Sequence, residues 1–379
     1  MRRILVLDDD PVILRLLART LQSDGLEILT CSELEAAEIL MEHYDVDCVI
    51  SDLCVSPFGD LEGGRLLGQL ASRYPDTRLI AISSTANERV RALLARLGCG
   101  TLIEKPFSPE RVRRAVLEIL GPAGEGASRL RAFEPISDFL RQAPLHSVLQ
   151  PITRLSTGAV YGVECLARAP QESPYANPEI LFAYAGRKDL VAQADLLCSR
   201  AGLEEARRYG GEGKVFVNVL PRSLSAPGFA ERIEKLAVEA GFPPSRIVIE
   251  ITERQTILYP KGLTASLARL RGAGFGLAVD DYGEGVSNLQ MVLDLGPDVL
   301  KIARHFTRGL DRDERRRAIV ASTAELARRL GALSVIEGVE NADELRAARE
   351  LGVDCAQGYH IARPARAEAL ARVVPNSVI

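Results

Sequence analysis

Short apolar runs alternate with amphipathic helical patterns along the first third of the chain. The apolar runs occupy residues 3–8, 26–31, 47–51, 78–82 and 101–104, and the helical patterns occupy 11–22, 33–43, 62–73, 86–97 and 108–120. Strands that are connected through helices lie parallel in one sheet. This region therefore predicts an α/β domain with a doubly wound, five-stranded parallel sheet and helices on both faces.

The same alternation continues through the second half of the chain, where the apolar runs end in polar residues. The series starts near LHSVLQPI and continues through VYGVE, KVFVN, RIVIE, GLAVDD, DVLK and LSVIE. So many strand–helix repeats predict a TIM-like (β/α)8 barrel. In such a barrel the carboxyl ends of the strands meet at one face, and the chemistry takes place there.

A segment rich in glycine and proline, GPAGEGAS at residues 121–128, separates the two series. Segments of this composition commonly break regular structure between domains. We therefore expect a first domain at residues 1–121, a linker with a connecting helix at 122–142, and the barrel at 143–379. The helical part of the linker is predicted over residues 128–142.

Composition excludes several classes of function. The chain has 379 residues, 47% of them hydrophobic and 26% charged, and a net charge of −4. These values are typical of a globular protein and disfavour DNA binding, and the densest basic segment, RRRAIV at 315–320, is interpreted as a solvated helix face. Seven cysteines without a C-x-x-C spacing indicate buried thiols in a reducing compartment. We expect a cytoplasmic protein, because the N-terminus lacks a signal-peptide pattern and no apolar run approaches the roughly 20 residues of a membrane span.

Five polar residues follow the predicted strands of the first domain. Asp8 and Asp9 follow the first strand, Asp52 the third, Ser83 the fourth and Lys105 the fifth. Ligands of doubly wound sheets bind beyond these carboxyl ends. Three acids together can bind Mg²⁺, one of them can act as a nucleophile towards phosphorus, and the serine and lysine can then sense the phosphoryl group. Each acid alone is more simply a loop residue or helix cap, but the full set favours phosphoryl transfer.

The first domain resembles the receiver domain of two-component response regulators, which has a flavodoxin-like fold. The resemblance rests on ILVLDDDP, DCVISDL, AISS and EKPFSPE, in that order. It implies that Asp52 accepts phosphate from a histidine kinase or a phosphotransfer protein. Two residues depart from the family pattern: Pro57 lies one position later than usual, and Leu102 replaces the common Tyr or Phe.

Six potential metal ligands and one lysine follow the strands of the second domain. The ligands are carboxylates and one carboxamide: Glu164, Asn218, Glu250, Asp280, Asp281 and Glu337. Oxygen ligands on rigid elements suit Mg²⁺ or Mn²⁺. Two such ions about 3.5–4 Å apart, bridged by a carboxylate, promote in-line attack on phosphorus. The tandem Asp280–Asp281 can supply the bridge, and Lys301 can hold hydroxide or a phosphate oxygen.

The second domain resembles the EAL domain family of cyclic di-GMP phosphodiesterases. The matching segments are LQPI, ECLAR, VFVNVLP, EITE, DDYGEG, LKI, IEGVEN and AQGY. The resemblance implies hydrolysis of cyclic di-GMP to linear pGpG by a homodimer with two metal ions. It assigns the six ligands above to the metals, catalytic roles to Asp281, Lys301 and Glu337, and stabilisation of the loop after the aspartates to Glu253. Contacts with the dinucleotide are assigned to Gln150, Leu166, Arg168 and Gln357.

Three departures from the EAL pattern bear on activity. Ala303 stands where the family usually has Asp, Cys165 stands where it has Ala, and DDYGEGVSNL replaces the commoner DDFGTGYSSL. We expect slower turnover from the first, little effect from the second and altered regulation from the third. The main alternative to an enzyme is therefore a catalytically silent cyclic di-GMP sensor. A scaffold that uses neither nucleotide nor metal is a further alternative.

Overall fold

The computed structural model describes residues 1–22, 25–53, 62–84, 87–121, 128–142, 145–252, 262–284 and 289–373. The chain divides into two compact units. The first unit contains Met1–Gln142 and Ala169–Lys188, and the second contains Ala143–Arg168 and Asp189–Ile379. None of the helices in these described ranges has the length and apolar character that a membrane crossing requires.

The first unit contains the predicted parallel sheet. Its strands are β1 (Arg2–Leu7), β2 (Leu26–Cys31), β3 (Cys48–Asp52), β4 (Arg78–Ser83), β5 (Thr101–Glu104) and β6 (Arg129–Phe133). Its helices are α1 (Pro11–Leu21), α2 (Leu34–His43), α3 (Glu62–Arg73), α4 (Glu88–Arg96), α5 (Pro109–Leu120), α6 (Ile136–Gln142) and α7 (Pro178–Arg187). The strand order is β5-β4-β3-β1-β2-β6, which confirms the doubly wound arrangement and adds one strand.

The added strand corrects the prediction of a helix over residues 128–142. Residues Arg129–Phe133 form β6, which pairs in parallel with β2, and only Ile136–Gln142 is helical. Glu27 of β2 explains part of this pairing, because it is buried and forms ion pairs with Arg3 at 2.8 Å and Arg131 at 3.0 Å. The alternation of charged and apolar residues in RLRAF therefore belongs to a strand at the edge of the sheet.

The segment Ala169–Lys188 packs within the first unit although it lies between two elements of the second unit in sequence. The rings of Tyr175 and Tyr184 are fully buried. The centroid of the Tyr175 ring lies 4.4 Å from that of Phe139 and 5.8 Å from that of Phe133. The Tyr184 hydroxyl donates a hydrogen bond to Glu33, next to α2. This docking was not predicted.

The second unit is a closed eight-stranded barrel, as predicted. Its strands are β7 (His146–Arg154), β8 (Val160–Arg168), β9 (Lys214–Asn218), β10 (Ile247–Thr252), β11 (Gly276–Tyr282), β12 (Val299–Ile302), β13 (Leu333–Ile336) and β14 (Cys355–Ala356). Its helices are α8 (Val191–Tyr209), α9 (Pro221–Leu224), α10 (Phe229–Glu239), α11 (Leu263–Ala273), α12 (Leu289–Leu295), α13 (Arg304–Thr307), α14 (Glu314–Arg329), α15 (Ala342–Glu350) and α16 (Ala367–Val373).

One strand of the barrel departs from the strand–helix repeat. β7 runs antiparallel to both of its neighbours, β8 and β14, whereas the other neighbouring strands are parallel. A turn joins β7 to β8 without a helix, and Gly158 in this turn has a φ of 72°, which favours glycine. Seven strands contribute to a buried cluster that fills the barrel: Ile152, Phe216, Val248, Ala278, Val299, Val335 and Cys355.

Candidate functional site

A fully buried lysine in contact with four carboxylates forms the centre of the barrel site. The Nζ of Lys301, on β12, lies 3.3 Å from Glu164 Oε2 and 2.8 Å from Glu250 Oε1. It lies 2.9 Å from Asp280 Oδ1 and 2.7 Å from Glu337 Oε1. These residues belong to four different strands and to the position just after β13. The fold therefore brings together five residues that the sequence placed on separate strands.

Amide side chains hold the carboxylate of Glu164 in place. Asn218 Nδ2 donates a hydrogen bond to Glu164 Oε1 at 3.0 Å, and Gln357 Nε2 donates to Glu164 Oε2 at 2.7 Å. Gln357 Nε2 also lies 3.1 Å from Gln150 Oε1, and Gln150 Nε2 donates to the Ala362 carbonyl at 3.2 Å. Two predicted substrate contacts, Gln150 and Gln357, thus adjoin the predicted ligands.

A cavity of about 290 Å³ opens above this cluster. Asp281 lines it with a φ of 54°, a left-handed conformation that is uncommon for a residue other than glycine. Arg168 also lines it and donates a hydrogen bond to the Ala167 carbonyl at 2.8 Å. The complete lining is Gln150, Glu164, Leu166, Arg168, Asp281, Arg304, Glu337, Gly338, Glu340, Gln357, Gly358, Tyr359 and Pro364.

Burial and mutual repulsion perturb the acids of this cluster. Burial, together with the charge of Glu164, raises the pKa of Glu250 well above its usual range. Burial also raises the pKa of Glu337 to about 8, against the opposing effect of Lys301. Burial acts to raise the pKa of Glu164 too, but the Lys301 ammonium and the amide hydrogen bonds outweigh it and lower that pKa. Burial would lower the pKa of Lys301, whereas Asp280 and the glutamates raise it well above its usual range.

The donor set fits divalent cations. Glu250 is completely buried, and its Oε2 has no hydrogen-bond partner in the described part of the chain. A buried acceptor without a partner destabilises the folded state, more so when it carries charge. Four acidic side chains surround this single ammonium group, so the cluster can accept further positive charge. Carboxylate and carboxamide oxygens fixed on strands are the ligands that Mg²⁺ and Mn²⁺ prefer.

The short segment Ala303–Thr307, which follows Lys301, connects two parts of the site. Ala303 N donates to the Tyr282 carbonyl at 3.3 Å, and the Thr307 hydroxyl donates to the Glu337 carbonyl. A Cβ on Gly283 would lie 2.6 Å from Cε2 of Phe306, so the ring packs directly on that glycine. The segment therefore fixes the backbone after the tandem aspartates relative to the backbone at Glu337.

The first unit gathers the other predicted residues. Carboxylate oxygens of Asp8, Asp9 and Asp52 lie within 4.8 Å of one another, a spacing that one cation can bridge. Lys105 Nζ lies 2.9 Å from Asp8 Oδ2 and 2.6 Å from Asp52 Oδ2. Ser83 is buried at the end of β4, and its carbonyl accepts a hydrogen bond from Lys105 N at 2.8 Å. All five predicted residues thus lie at one end of the sheet.

Burial and contacts with Lys105 determine the pKa shifts in this cluster. Burial raises the pKa of Asp8, although hydrogen bonds from Lys105 and from the Asp10 backbone oppose it. Burial would lower the pKa of Lys105, but its contacts with Asp52 and Asp8 outweigh that effect and raise it. Lys105 therefore remains positively charged beside the carboxylate that the sequence assigned as phosphoacceptor.

Several departures from the family patterns can be located. Ala303 is completely buried, and Leu102 is half-buried on β5. Cys165 packs against Gly202 of α8, where an added Cβ would lie 2.7 Å from the Cys165 Cβ, so the glycine provides room for the thiol. Glu253 and Pro57 lie outside the described residues, as do residues 285–288 of the DDYGEGVSNL loop.

Comparison with known proteins assigns the family. The family model of the EAL domain matches residues 134–364. The chain belongs to the EAL domain family. The response regulator receiver domain matches residues 4–117, which confirms the predicted combination of two domains. The cyclic di-GMP phosphodiesterase RocR of Pseudomonas aeruginosa is 30% identical over 382 residues, which cover 95% of this chain and 95% of RocR.

Solved structures of EAL proteins agree with the barrel. A manganese and cyclic di-GMP complex of Klebsiella pneumoniae BlrP1 is 28% identical, with a TM-score of 0.54, and the match covers 62% of this chain and 57% of BlrP1. The phosphodiesterase PaMucR in complex with cyclic di-GMP is 27% identical, with a TM-score of 0.54. That match covers 62% of this chain and 99% of PaMucR.

Three charged residues near the site were not predicted from the sequence. Arg304 and Glu340 line the cavity, and Asp195 of α8 accepts a hydrogen bond from Leu220 N at 3.0 Å, two residues after Asn218. Arg304 and Glu340 follow Lys301 and Glu337 by three residues each, so proximity to a predicted ligand was an available signal. Asp195 lies in the middle of a helical pattern and gave no such signal.

Proposed function

We propose that the barrel hydrolyses cyclic di-GMP to linear pGpG with two divalent cations, and that phosphorylation of Asp52 controls the rate. The observation that carries the proposal is the buried cluster of four acidic side chains around the single ammonium group of Lys301, beside a cavity. Membership of the EAL domain family and similarity to named cyclic di-GMP phosphodiesterases support it.

The predicted ligands divide between two cation positions. Asp280, which belongs to the tandem Asp280–Asp281, would be shared by the two cations. Glu164, Asn218 and Glu250 would hold the first cation with it. Asp281 and Glu337 would hold the second. Bound Mg²⁺ or Mn²⁺ would polarise the phosphate and lower the pKa of a water molecule.

The residues of the chain hold the reacting groups in position. Lys301 presents its ammonium to the attacking water or to a phosphate oxygen. Gln150, Leu166, Arg168 and Gln357 bind the dinucleotide in the cavity and orient one phosphodiester for in-line attack. The water oxygen forms a bond to phosphorus as the bond from phosphorus to the 3′ oxygen breaks. The proton released by the water is finally carried by the 3′ oxygen, which gives the linear product.

The receiver site is suited to acquire a phosphoryl group. One Mg²⁺ held by Asp8, Asp9 and Asp52 would screen the charge of an incoming phosphate. The Asp52 carboxylate attacks the phosphorus of a phosphohistidine in a histidine kinase or phosphotransfer protein, and the histidine leaves. Ser83 and Lys105 then bind the new phosphoryl oxygens. We further propose that the protein acts in the cytoplasm as a homodimer.

The first prediction tests the hydrolase. Glu337→Gln removes a proposed ligand and Lys301→Ala removes the buried ammonium, so either variant is expected to lose at least about a hundredfold in kcat. The measurement is chromatographic detection of pGpG from cyclic di-GMP with Mg²⁺ or Mn²⁺. Circular dichroism checks that both variants fold. Unchanged product formation by a folded variant contradicts the assignment.

A cyclic di-GMP sensor is the second candidate, and Ala303 is the observation that favours it. This residue is completely buried beside the site, where the family usually has an acid. A sensor binds cyclic di-GMP without forming pGpG in Mg²⁺ or Mn²⁺, whereas the proposed enzyme forms the product. Detection of pGpG from the wild-type protein therefore decides between the two.

A further inference from the structure

Arg304 occupies a fixed position at the rim of the cavity. It begins α13, three residues after Lys301, and lines the cavity on which Arg168 also lies. Its aliphatic stem rests on Gly338, the residue after Glu337: a Cβ built on Gly338 would lie 2.1 Å from Arg304 Cγ and 2.8 Å from its Cδ. The stem of Arg304 is therefore packed on Gly338, and its side chain lines the same cavity as the proposed metal ligand Glu337.

Glu340 orients the head of this side chain. Arg304 Nη2 donates to Glu340 Oε1, and both residues line the cavity. The Arg304 side chain remains 65% exposed. A guanidinium has five N–H donors in a planar fork, so its contact with one carboxylate oxygen leaves donors for an anion in the cavity.

The cavity that Arg304 lines is rich in acidic side chains. Its lining includes the carboxyl groups of Glu164, Asp281 and Glu337. A cyclic dinucleotide has two phosphodiesters, and the proposed cations serve the one that is cleaved. The other phosphate carries a negative charge and needs a separate cationic partner. The fork of an arginine suits a phosphate because it can make two parallel hydrogen bonds.

We propose that Arg304 binds the uncleaved phosphate of the cyclic dinucleotide and thereby selects substrates with two phosphodiesters. This inference rests on the proposed function, since it assumes that cyclic di-GMP occupies the cavity. Arg304 takes no part in bond cleavage. It contributes to substrate binding and to the choice between a cyclic dinucleotide and a simple diester.

Two substrates separate this role from a structural one. Bis(p-nitrophenyl) phosphate has a single phosphodiester and therefore nothing for Arg304 to bind. For Arg304→Ala we expect KM for cyclic di-GMP to rise about tenfold or more, with kcat changed little, and hydrolysis of bis(p-nitrophenyl) phosphate to be unaffected. Arg304→Lys keeps the charge without the fork and is expected to recover part of the loss. Arg308→Ala is the matched control, because Arg308 is exposed and lies outside the cavity lining.

Equilibrium binding measures the contribution of Arg304 to substrate binding separately from catalysis. Ca²⁺ accepts oxygen ligands in a looser geometry than Mg²⁺, so we expect binding of cyclic di-GMP with slow cleavage. In Ca²⁺, titration calorimetry should show Kd for Arg304→Ala raised about tenfold or more over wild type.

An unchanged Kd and KM in this variant overturn the inference while hydrolysis by the wild type stands. Equal losses with both substrates indicate a structural role and also overturn it. Binding without pGpG in Mg²⁺ or Mn²⁺ refutes the hydrolase alone, and absence of binding by the wild type refutes both.

Discussion

At the scale of single residues, Glu250 is unfavourable for the stability of the fold unless it binds a cation, as we propose. The side chain is completely buried, its Oε2 has no hydrogen-bond partner among the described residues, and burial raises its pKa. A protein selected only for stability would place an apolar residue here. A buried carboxylate becomes favourable when it coordinates a cation.

Glu250→Gln therefore has opposite effects without and with metal. Without metal, the variant is expected to be as stable as wild type or more so, because glutamine keeps the shape and replaces a carboxyl group whose ionisation burial disfavours. With Mn²⁺, wild type is expected to bind three ions, two in the barrel and one in the receiver, and the variant fewer. Ligand binding at a hundred times Kd stabilises a folded protein by about 2.7 kcal/mol per site.

Thermal unfolding and Mn²⁺ titration calorimetry measure both effects. Glu239→Gln makes the same chemical change at an exposed position of α10 and should resemble wild type in both measurements. A Glu250→Gln variant that binds three Mn²⁺ with unchanged affinity would show that this carboxylate is not a ligand.

The sequence predicted these residues better than it predicted their contacts. Polar groups at the ends of parallel strands must meet at one face, so Glu164, Asn218 and Asp280 could be placed near each other from strand order alone. That Lys301 touches four carboxylates depends on barrel closure and side-chain length. The position of Arg304 three residues after Lys301 was a signal in the sequence, but its contact with Gly338 joins distant parts of the chain and was not predictable.

At the scale of elements, the loop after β13 and the helix α13 pack so closely that one methyl group should disturb the site. Gly338 has a φ of 69°, and a Cβ there would overlap Arg304. Gly338→Ala is therefore expected to displace Arg304 and the backbone beside Glu337. The expected result is a fall of about tenfold or more in kcat/KM for cyclic di-GMP, the effect of misplacing groups at an active site.

Gly352→Ala provides the matched control for this variant. Gly352 has a φ of 78°, and an added Cβ would meet nothing within 4 Å. The Gly352→Ala variant is therefore expected to lose roughly 1–2 kcal/mol of stability, because alanine must adopt a left-handed conformation, but its Cβ overlaps no neighbouring atom. If both alanine variants keep the same kcat/KM, the contact between Gly338 and Arg304 does not matter for catalysis.

Asp195 of α8, which contacts the loop after β9, is expected to make the stability of the protein depend on pH. Burial raises the pKa of Asp195 to about 7 from the ordinary 3.8, against a hydrogen bond from Leu220 N. Between these two values the folded protein binds the proton more tightly than the unfolded chain, so stability falls as pH rises through this window. The penalty is complete above about pH 7 and amounts to at most roughly 4 kcal/mol.

Asp195→Asn removes this titration and keeps an oxygen that accepts from Leu220. The variant should be more stable than wild type above about pH 7, and the difference should close as the pH falls towards 4. Urea unfolding of both proteins across this pH range measures the difference. A difference that does not change with pH would mean that Asp195 is already ionised at low pH.

Element types were predictable where the pattern was local. The helix spacing and strand runs of the first 120 residues recur in the structure, because each element carries its own periodicity. β6 was mistaken for a helix because the five residues of RLRAF gain their stability from pairing with β2 and from the ion pair between Arg131 and Glu27. The strand β7 was predicted but its antiparallel direction was not, because the pairing of a strand and not its composition sets its direction.

At the scale of the whole molecule, the chain path offers a route for the proposed control of the barrel by phosphorylation. The segment Ala169–Lys188 belongs to the first unit, yet it directly follows β8, which carries Glu164, and leads into α8. Arg187 forms ion pairs with Glu38 and with Glu42, the latter at 3.4 Å. Lys188 Nζ lies 3.2 Å from carboxylate oxygens of both Glu33 and Glu35. A rearrangement of α2 is therefore expected to shift this segment.

Charge reversal at Arg187 tests this route. Exposed single ion pairs contribute little to stability, but Arg187 and Lys188 form a network with four acids and adjoin the buried Tyr184. Arg187→Glu places like charges against Glu38 and Glu42 and should loosen the segment. We expect pGpG formation to lose its response to beryllium fluoride, a phosphoryl mimic on Asp52, while hydrolysis itself continues.

The charge-swapped pair Glu38→Arg with Arg187→Glu separates the specific contact from a general change of charge. If the ion pair transmits the signal, the double variant recovers at least part of the response that the single variant loses, because opposite charges again face each other. Lys235→Glu, an equal change of charge at an exposed position of α10, should respond like wild type. A full response in the Arg187→Glu variant would mean that the receiver acts on the barrel without this segment, because the network would then be weakened and the signal intact.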